Sequence, residues 1–554
     1  MKSILDHYCT QVLFLREKGK EFAQKYPDIA SKIDFNGNQS NDPQTERIIE
    51  SFAFMVAGLD AKIENNAENL GYYLLAGLYP GITAVFPPCA VIQFDSTEVC
   101  VLPRHTQLQV PTDLNDNYIF RTVYPLATYP LQITGLSITD ANELKIDLRT
   151  ISVPIEQMQL ESLTFYLNAL LLDEAMALYS ALFDGERHIT LSFNTQKYEL
   201  PSSSLILLGF DENETIFPVQ KFVNYSFHLL REVLLFPQKF MFFCIVGIND
   251  LIRHYSLRNI DEFSIFISLN DKNIKIHQNT VQINSIPVAN LFDYSTNSFR
   301  FDGTKSRYLL LSNNHPHLAI HSIKEMHLID SHTKEDVLVP QYFSFDFNTI
   351  NNATDTVYWF QPLDDDHSTY VSFVDTNMNP TAVYADVAYA KTLCINKINP
   401  RHVLSNRLVR ADGATAPNVQ GKLVLQPSIP FYLGHHRNDI WNLLTQLAFG
   451  QLSKVNTNQL LDKLQNISTI YAGLHQSLVQ TTLSNILRIE LTESNRRIVH
   501  NARNLFAKAY TYQVVCKTFK NQPYSFLFFK VLDRYLKNNR PINSYLDLKI
   551  VHSN

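Results

Sequence analysis

The feature that most restricts this chain is a change in the period of its apolar residues, from helical spacing to alternation and back again. A helix brings a face round about every 3.6 residues and a strand every two, so the period decides which element can bury the pattern. Over residues 1–80 the period is helical. Ile4, Tyr8, Val12 and Leu15 share one face, and Pro27, which has no N–H to donate, closes the pattern. Residues 34–41 are rich in Asn, Gly and Ser and read as a loop. Asp42-Pro43 reads as a helix start: the carboxylate can accept from free first-turn N–H groups, and proline suits the first helical position. The helix that follows carries Ile48, Ile49, Phe52, Met55, Val56, Leu59 and Ile63 on one broad stripe. A third helix is expected near residues 67–79, stopping at Pro80-Gly81.

From about residue 87 the pattern alternates. Residues 91–94, 106–110, 119–122 and 144–148 read as strands, with one helix inserted near 173–183. Residues 256–400 are strand-rich, with Asn, Asp and Pro turns. Helical spacing returns near Asp439: Trp441, Leu444 and Leu447 share one face, and Leu460, Leu461, Leu464 and Ile467 another. Residues 526–535 read as a helix and 546–551 as a final strand. The expected fold class is α+β. Its expected divisions are 1–86, a helical region; 87–255, β-rich with an inserted helix; 256–400, β-rich; and 401–554, a mixed α+β domain. A length of 554 residues fits about three domains at roughly 100–200 residues each.

Composition narrows the class of function. Net charge is -6 without long runs of one sign, which argues against nucleic-acid binding and against a polybasic membrane-surface binder. Six scattered cysteines with no CxxC fit a reducing compartment rather than a disulfide framework. Asp6, His7, Arg16 and Glu17 interrupt the start of the chain where a signal peptide needs an apolar run. The most apolar segments, 163–183 and 233–248, are broken by polar residues short of the ~20 needed to span a bilayer. The expectation is a soluble cytoplasmic protein. Abundant Phe (36) and Tyr (27) suit a β-rich core and subunit interfaces alike.

The search for chemistry is mostly negative. GxSxG, HExxH and GxGxxG are absent. Gly413 to Gly421-Lys422 has its glycines too far apart for a phosphate loop, and Leu423 stands where Ser or Thr must meet magnesium. His315 and His317 could share a zinc ion from one strand face, with His321 and His327 following, but no clear third and fourth ligand accompanies them. His435-His436 diverge, and the run Asp364, Asp365 and Asp366 lacks the spacing and Gly turn of a calcium loop. No catalytic, cofactor-binding or metal residue is assigned.

Against this background a series of collinear motifs resembles the TssF family of type VI secretion baseplate wedge proteins. It begins with Leu13-Phe-Leu-Arg16-Glu17, Gly19 to Pro27, and Asp42-Pro43 leading to Glu46-Arg47-Ile-Ile-Glu50-Ser-Phe-Ala53-Phe54. Val101-Leu-Pro-Arg-His-Thr106 with Phe120-Arg-Thr122 is similar to a Pro-x-Gly-Thr and Phe-Arg-Thr pairing shared with contractile-phage baseplate wedge proteins, with His105 in the place of the usual Gly. The most specific stretch is Gly209-Phe210, then Tyr225, Leu229-Leu230-Arg231-Glu232, Phe236-Pro237, Lys239-Phe240 and Phe242-Phe243. Asn396 in Leu393-Cys394-Ile-Asn396-Lys397, Trp441 and Asn543-Ser544-Tyr545 complete it. Read from its residues, the segment 209–243 is core, with Phe240 and Phe242 on one buried strand face.

The resemblance implies a structural wedge subunit without catalysis or cofactor. It implies two copies pairing with one TssG and a second copy of the chain as a neighbour. TssE, TssK, hub and sheath proteins would be further partners, and the machine would sit at the cytoplasmic face of the inner membrane. The stripe Ile48, Ile49, Phe52, Met55, Val56 and Leu59 is the expected interface, completed by partner helices. Two other readings stand beside it: a wedge of a phage tail or extracellular contraction device, and an unrecognised β-rich hydrolase.

Overall fold

The computed structural model describes residues 4–32, 43–79, 81–114, 117–168, 172–185, 187–193, 196–218, 225–258, 260–271, 273–301, 305–311, 317–329, 334–342, 357–362, 368–380, 387–403, 409–411, 420–433, 437–448, 457–471, 475–500, 503–517, 523–539 and 544–552. The chain forms two compact units, one of Met1–Leu78 with Gly434–Leu447, the other of Tyr79–Leu433 with Ala448–Asn554.

The first unit is helical. Ile4–Lys25 and Pro43–Leu78 are its long helices, joined by the short helix Pro27–Lys32 and by Arg437–Ala448. Two helices were expected between residue 43 and residue 79, but one 36-residue helix runs throughout. The reason is the absence of a breaker: Glu64 to Asn69 contains neither Pro nor Gly, so backbone hydrogen bonding continues through a polar stretch. The loop expected at 34–41 and Asp42 lie outside the described residues.

The second unit is mainly β, built around a closed barrel. Its strands in order are Cys89–Asp95, Ser285–Ala289, Asn117–Thr122, Gln107–Pro111, Val409–Ala411 and Gln420–Leu425. Closure removes free edges, and it draws together segments far apart in the chain. A five-stranded sheet runs Gln196–Leu200, Ile189–Phe193, Glu262–Ser268, Glu143–Thr150, Leu131–Ile138. A four-stranded sheet runs Leu205–Leu207, Phe242–Val246, Ser162–Leu167, Val281–Ile283. A further sheet sets Val387–Asn396 between Phe292–Ser295 and Leu318–Ile329, and the last strand pairs on with Asp336–Val339.

The chain ends in a three-stranded sheet, Ile486–His500, Arg503–Cys516 and Ser544–His552, whose last pair is parallel. The helix Pro523–Asn538 makes the crossover that a parallel pair requires. The expected helices at 173–183, 460–467 and 526–535 lie in Leu172–Phe183, Thr457–Tyr471 and Pro523–Asn538. Each early strand expectation falls on a strand. The helix Ser226–Leu235 was not expected, because every position from 226 to 234 is buried and no polar face marks its period.

Candidate functional site

Two sets of residues carry the sequence-level argument, and each lies within one unit. In the helical unit, the long helix sorts its residues by size. Ala53 and Ala57, four apart, are fully buried, and Gly71 and Leu75 continue inward on later turns. Small side chains let two helix axes approach closely. Arg16 donates to Glu46 at 2.5 Å and Gln11 donates to Asp60, tying Ile4–Lys25 to Pro43–Leu78. The large apolar residues of the stripe point the other way. Ile48, Phe52, Met55, Leu59 and Ile63 are 69, 51, 61, 60 and 66% exposed. Their spacing of four, three, four and four residues places them on one outward face. Ile49 and Val56, between the two faces, are half-buried. Leu5, Leu13 and Phe14 of the first helix are also exposed. Together these positions form a contiguous apolar patch on the surface of the unit. Trp441 packs within this unit: a Cβ on Gly71 would stand 3.1 Å from the indole, so glycine there admits the ring.

In the β-rich unit, the motif between Gly209 and Phe240 is a buried ionic network. Proline at 237 ends the helix Ser226–Leu235, and the Phe236 N–H donates back to the Glu232 carbonyl at 2.7 Å. The chain then turns through the 3-10 segment Pro237–Phe240, bringing Lys239 back beside the helix. Lys239 and Glu232 form an ion pair with both side chains at 0% exposure. Lys239 Nζ also donates to the Gly209 carbonyl at 3.0 Å, and Glu232 Oε1 accepts from the Ile216 N–H at 2.8 Å. Burial raises the Glu232 pKa and lowers that of Lys239, and each charge opposes the shift of the other. A pair so fully hydrogen-bonded specifies one arrangement of the 209–216 loop.

Gly209 is at φ +100°, and a Cβ there would meet Tyr124 Oη at 2.8 Å. Tyr124 Oη itself donates to the Lys239 carbonyl at 2.6 Å, so the glycine lets backbone and phenol close over the lysine. Phe210 and Phe240 pack with ring centroids 5.1 Å apart. The expected strand face through Phe240 and Phe242 is corrected: Phe240 sits on the 3-10 turn, and the strand Phe242–Val246 buries Phe242 and Phe243 alike. An interior strand with both faces covered has no polar side to alternate with.

Arg231 is fully buried one position before Glu232, yet donates elsewhere, to the Gly81 and Ala84 carbonyls at 3.0 and 3.2 Å. Its guanidinium lies 4.6 Å from the Phe217 ring centre and 5.4 Å from that of Tyr471. Phe217 is stacked by two buried histidines, His228 and His321. Burial, then the charge of Arg231, lowers the His228 pKa to about 3; burial, then Arg121, lowers that of His321 to about 3. Asn396 works as a splice: its side-chain oxygen accepts from Ile119 N–H at 3.0 Å and from Asn290 Nδ2 at 2.7 Å. Asn290 and Tyr124 are partners that sequence reading missed, since neither stands in a recognisable motif.

His105, in the place of the usual Gly, nevertheless sits in a turn. His105 takes φ +69°, and its N–H donates to the Thr122 carbonyl at 3.0 Å. Of the metal candidates, His315 lies outside the described residues, as do Asp364, Asp365, Asp366, His435 and His436. His321 is in the Phe217 stack, and His327 faces Asp336 at 2.8 Å and Glu325 at 3.1 Å. No group of three metal-competent residues converges among the described residues, and no helix among them is long and apolar enough to cross a membrane.

A family model for the type VI secretion system protein TssF matches residues 1–554. The chain belongs to the TssF family. It is 22% identical to the type VI secretion system component TssF1 of Pseudomonas aeruginosa, over 98% of this chain and 96% of that protein. Its fold is shared with a chain of the type VI secretion TssK-TssF-TssG baseplate subcomplex, at a TM-score of 0.73 and 18% identity, covering 92% of this chain and 96% of that one. A chain of another type VI secretion baseplate complex matches at 0.59 and 16%, covering 99% and 97%. The α+β architecture of this TssF-family chain is therefore that of known secretion-machine subunits.

Proposed function

We propose that this TssF-family chain is a structural wedge component of a type VI secretion baseplate that acts by assembly, without catalysis or cofactor. The observation that carries the reading is the outward face of Ile48, Phe52, Met55, Leu59 and Ile63. Burying such side chains contributes roughly 1.5–3 kcal/mol each, so five of them on one helix face favour association with another surface. Ile49 and Val56 flank that surface. The occupant is a TssG subunit, with two copies of this chain per TssG and the second copy adjoining the first. TssK binds the resulting wedge, and TssE, hub and sheath proteins are its further neighbours. The site of action is cytoplasmic, recruited to the inner membrane through the machine, with neither nucleic acid nor direct membrane insertion involved. The family match over the whole chain favours this reading over a phage-tail wedge or a β-rich hydrolase.

The motif residues Gly209, Phe210, Arg231, Glu232, Phe236, Pro237, Lys239, Phe240 and Asn396 hold the β-rich unit rigid, and Trp441 does the same for the helical unit. Co-expression with the cognate TssG tests the proposal. A stable complex with two copies of this chain per TssG is expected. A chain that stays monomeric beside TssG overturns it.

A further inference from the structure

A cleft of about 590 Å³ opens in the β-rich unit where the barrel meets two other sheets. Its walls are the barrel strands Cys89–Asp95 and Gln420–Leu425, the start of Leu131–Ile138, and Val281–Ile283. Among the described residues the last two strands each close the order of their sheet, so each has a side that no further strand pairs. Gln132, Gln278, Asn279 and Lys422 are exposed, so the cleft is open to solvent.

The lining is rich in side-chain amides: Gln93, Gln132, Asn168, Gln278, Asn279 and Gln282 all border it. Each amide carries donors and an acceptor, the same complement that a peptide unit offers. Asn284, in the same wall, already uses its amide in this way. It accepts from the Tyr129 N–H at 3.0 Å and donates to the Tyr129 carbonyl at 2.7 Å. Gln93 likewise donates to the Ile283 carbonyl at 3.2 Å. Gln282 stands at the middle of its strand, and its buried Oε1 has no hydrogen-bond partner among the described residues. A buried polar atom without a partner destabilises the fold, and a ligand that answers it offsets that cost.

Pockets for small molecules are mostly apolar with a few polar groups, and this lining is the reverse. Phe94, the aromatic residue of the described lining, is buried, so it offers no ring face on which a sugar could stack. The charged residues of that lining, Asp95 and Lys422, are one of each sign, so neither an acidic nor a basic ligand is favoured. We propose that this cleft receives an extended, uncharged segment of polypeptide from a partner subunit, whose backbone pairs with the side-chain amides and with the free strand edges. Backbone hydrogen bonding supplies the affinity, as in strand addition. The cleft is built from the β-rich unit alone, so its occupant does not depend on what covers the helix face.

The test uses the full chain and a fluorescein-labelled peptide of alternating Thr and Val, with the fully N-methylated peptide and maltohexaose as comparators. Expected results are saturable binding of the plain peptide below millimolar concentration and slowed amide exchange along 131–133 and 281–283. Gln282→Met is expected to weaken binding about tenfold with the thermal midpoint unchanged or raised, because it removes an unanswered acceptor while keeping the volume. A glutamine with a purely structural role would lower the midpoint instead and leave the affinity of the folded chain unchanged. If that variant does not fold, Gln132→Ala, at an exposed position, is expected to weaken binding about threefold. Equal binding of the N-methylated peptide would overturn backbone pairing, and tighter binding of maltohexaose would overturn the polypeptide assignment. No binding of the plain peptide up to millimolar concentration, or unchanged affinity in the folded variants, would overturn the cleft as a docking site.

Discussion

The helical unit and the β-rich unit treat their most informative residues in opposite ways. The long helix Pro43–Leu78 buries alanine and exposes Ile48, Phe52, Met55 and Leu59. The β-rich unit exposes little of its motif and instead buries an arginine, a glutamate and a lysine. Large apolar groups facing water leave a surface open; charges facing inward are already partnered within the chain. The contrast teaches that a family motif and an assembly surface are different things. The residues on which the sequence resemblance was read are mostly buried and hydrogen-bonded within the fold, and the residues proposed to join it to other subunits form a stripe with little sequence signature beyond its period.

The largest effects are expected inside the β-rich unit. Glu232→Ala strands Lys239 in a dry site, and chemical denaturation is expected to show a loss of about 3–5 kcal/mol. The double substitution to methionine at 232 and 239 is expected to cost less than either single change. If it costs the sum of the two, the pair is not acting as one unit. Acid is the next lever. His228 and His321 take up protons near pH 6.5 when unfolded but only near about 3 in the fold. Their depressed values mean that the stability they protect is complete above pH 6.5 and is lost as pH falls toward 3. Near pH 5 the loss is roughly 2 kcal/mol per histidine, visible as a lower urea midpoint. A midpoint that does not move between pH 7 and pH 5 would place both rings in a wetter environment than the Phe217 stack provides.

Gly209→Ala is expected to cost about 1–3 kcal/mol, since a side chain at positive φ would also meet Tyr124. His105→Gly runs the other way. Relief of its positive φ outweighs the added freedom of the unfolded chain, so a gain of about 0.5–1 kcal/mol is expected in thermal denaturation. The smallest effect on stability belongs to the helical stripe. Phe52→Asp with Met55→Asp is expected to shift stability by no more than about 0.5 kcal/mol, because both residues are already in water.

Much of this organisation was legible in the sequence where the period was clean. Val12 and the Ile48–Leu59 stripe announced helices, and Leu144–Leu148 announced a strand. Period alone could not say which way the stripe faced, because that depends on Ala53 and Ala57, whose small size admits a neighbouring helix. The helix Ser226–Leu235 was hidden because burial on all sides erases amphipathic spacing. Barrel closure, which sets Cys89–Asp95 beside Gln420–Leu425, left no local trace. The long hairpin from Ile486 was missed because the alternation of Leu487, Ile489 and Leu491 with polar residues is broken by the polar run Glu493 to Arg497. The ionic network was quoted residue by residue as a motif, but the partner roles of Gly209, Tyr124 and Ile216 required the turn at Pro237 to be seen.

The central claim, that the outward helix face is completed by another subunit, is tested most directly by co-purifying tagged TssG with the F52D/M55D chain. The account predicts a folded, monomeric variant that no longer accompanies TssG through size exclusion. A variant that elutes with TssG in the same proportion as the parent chain would contradict it.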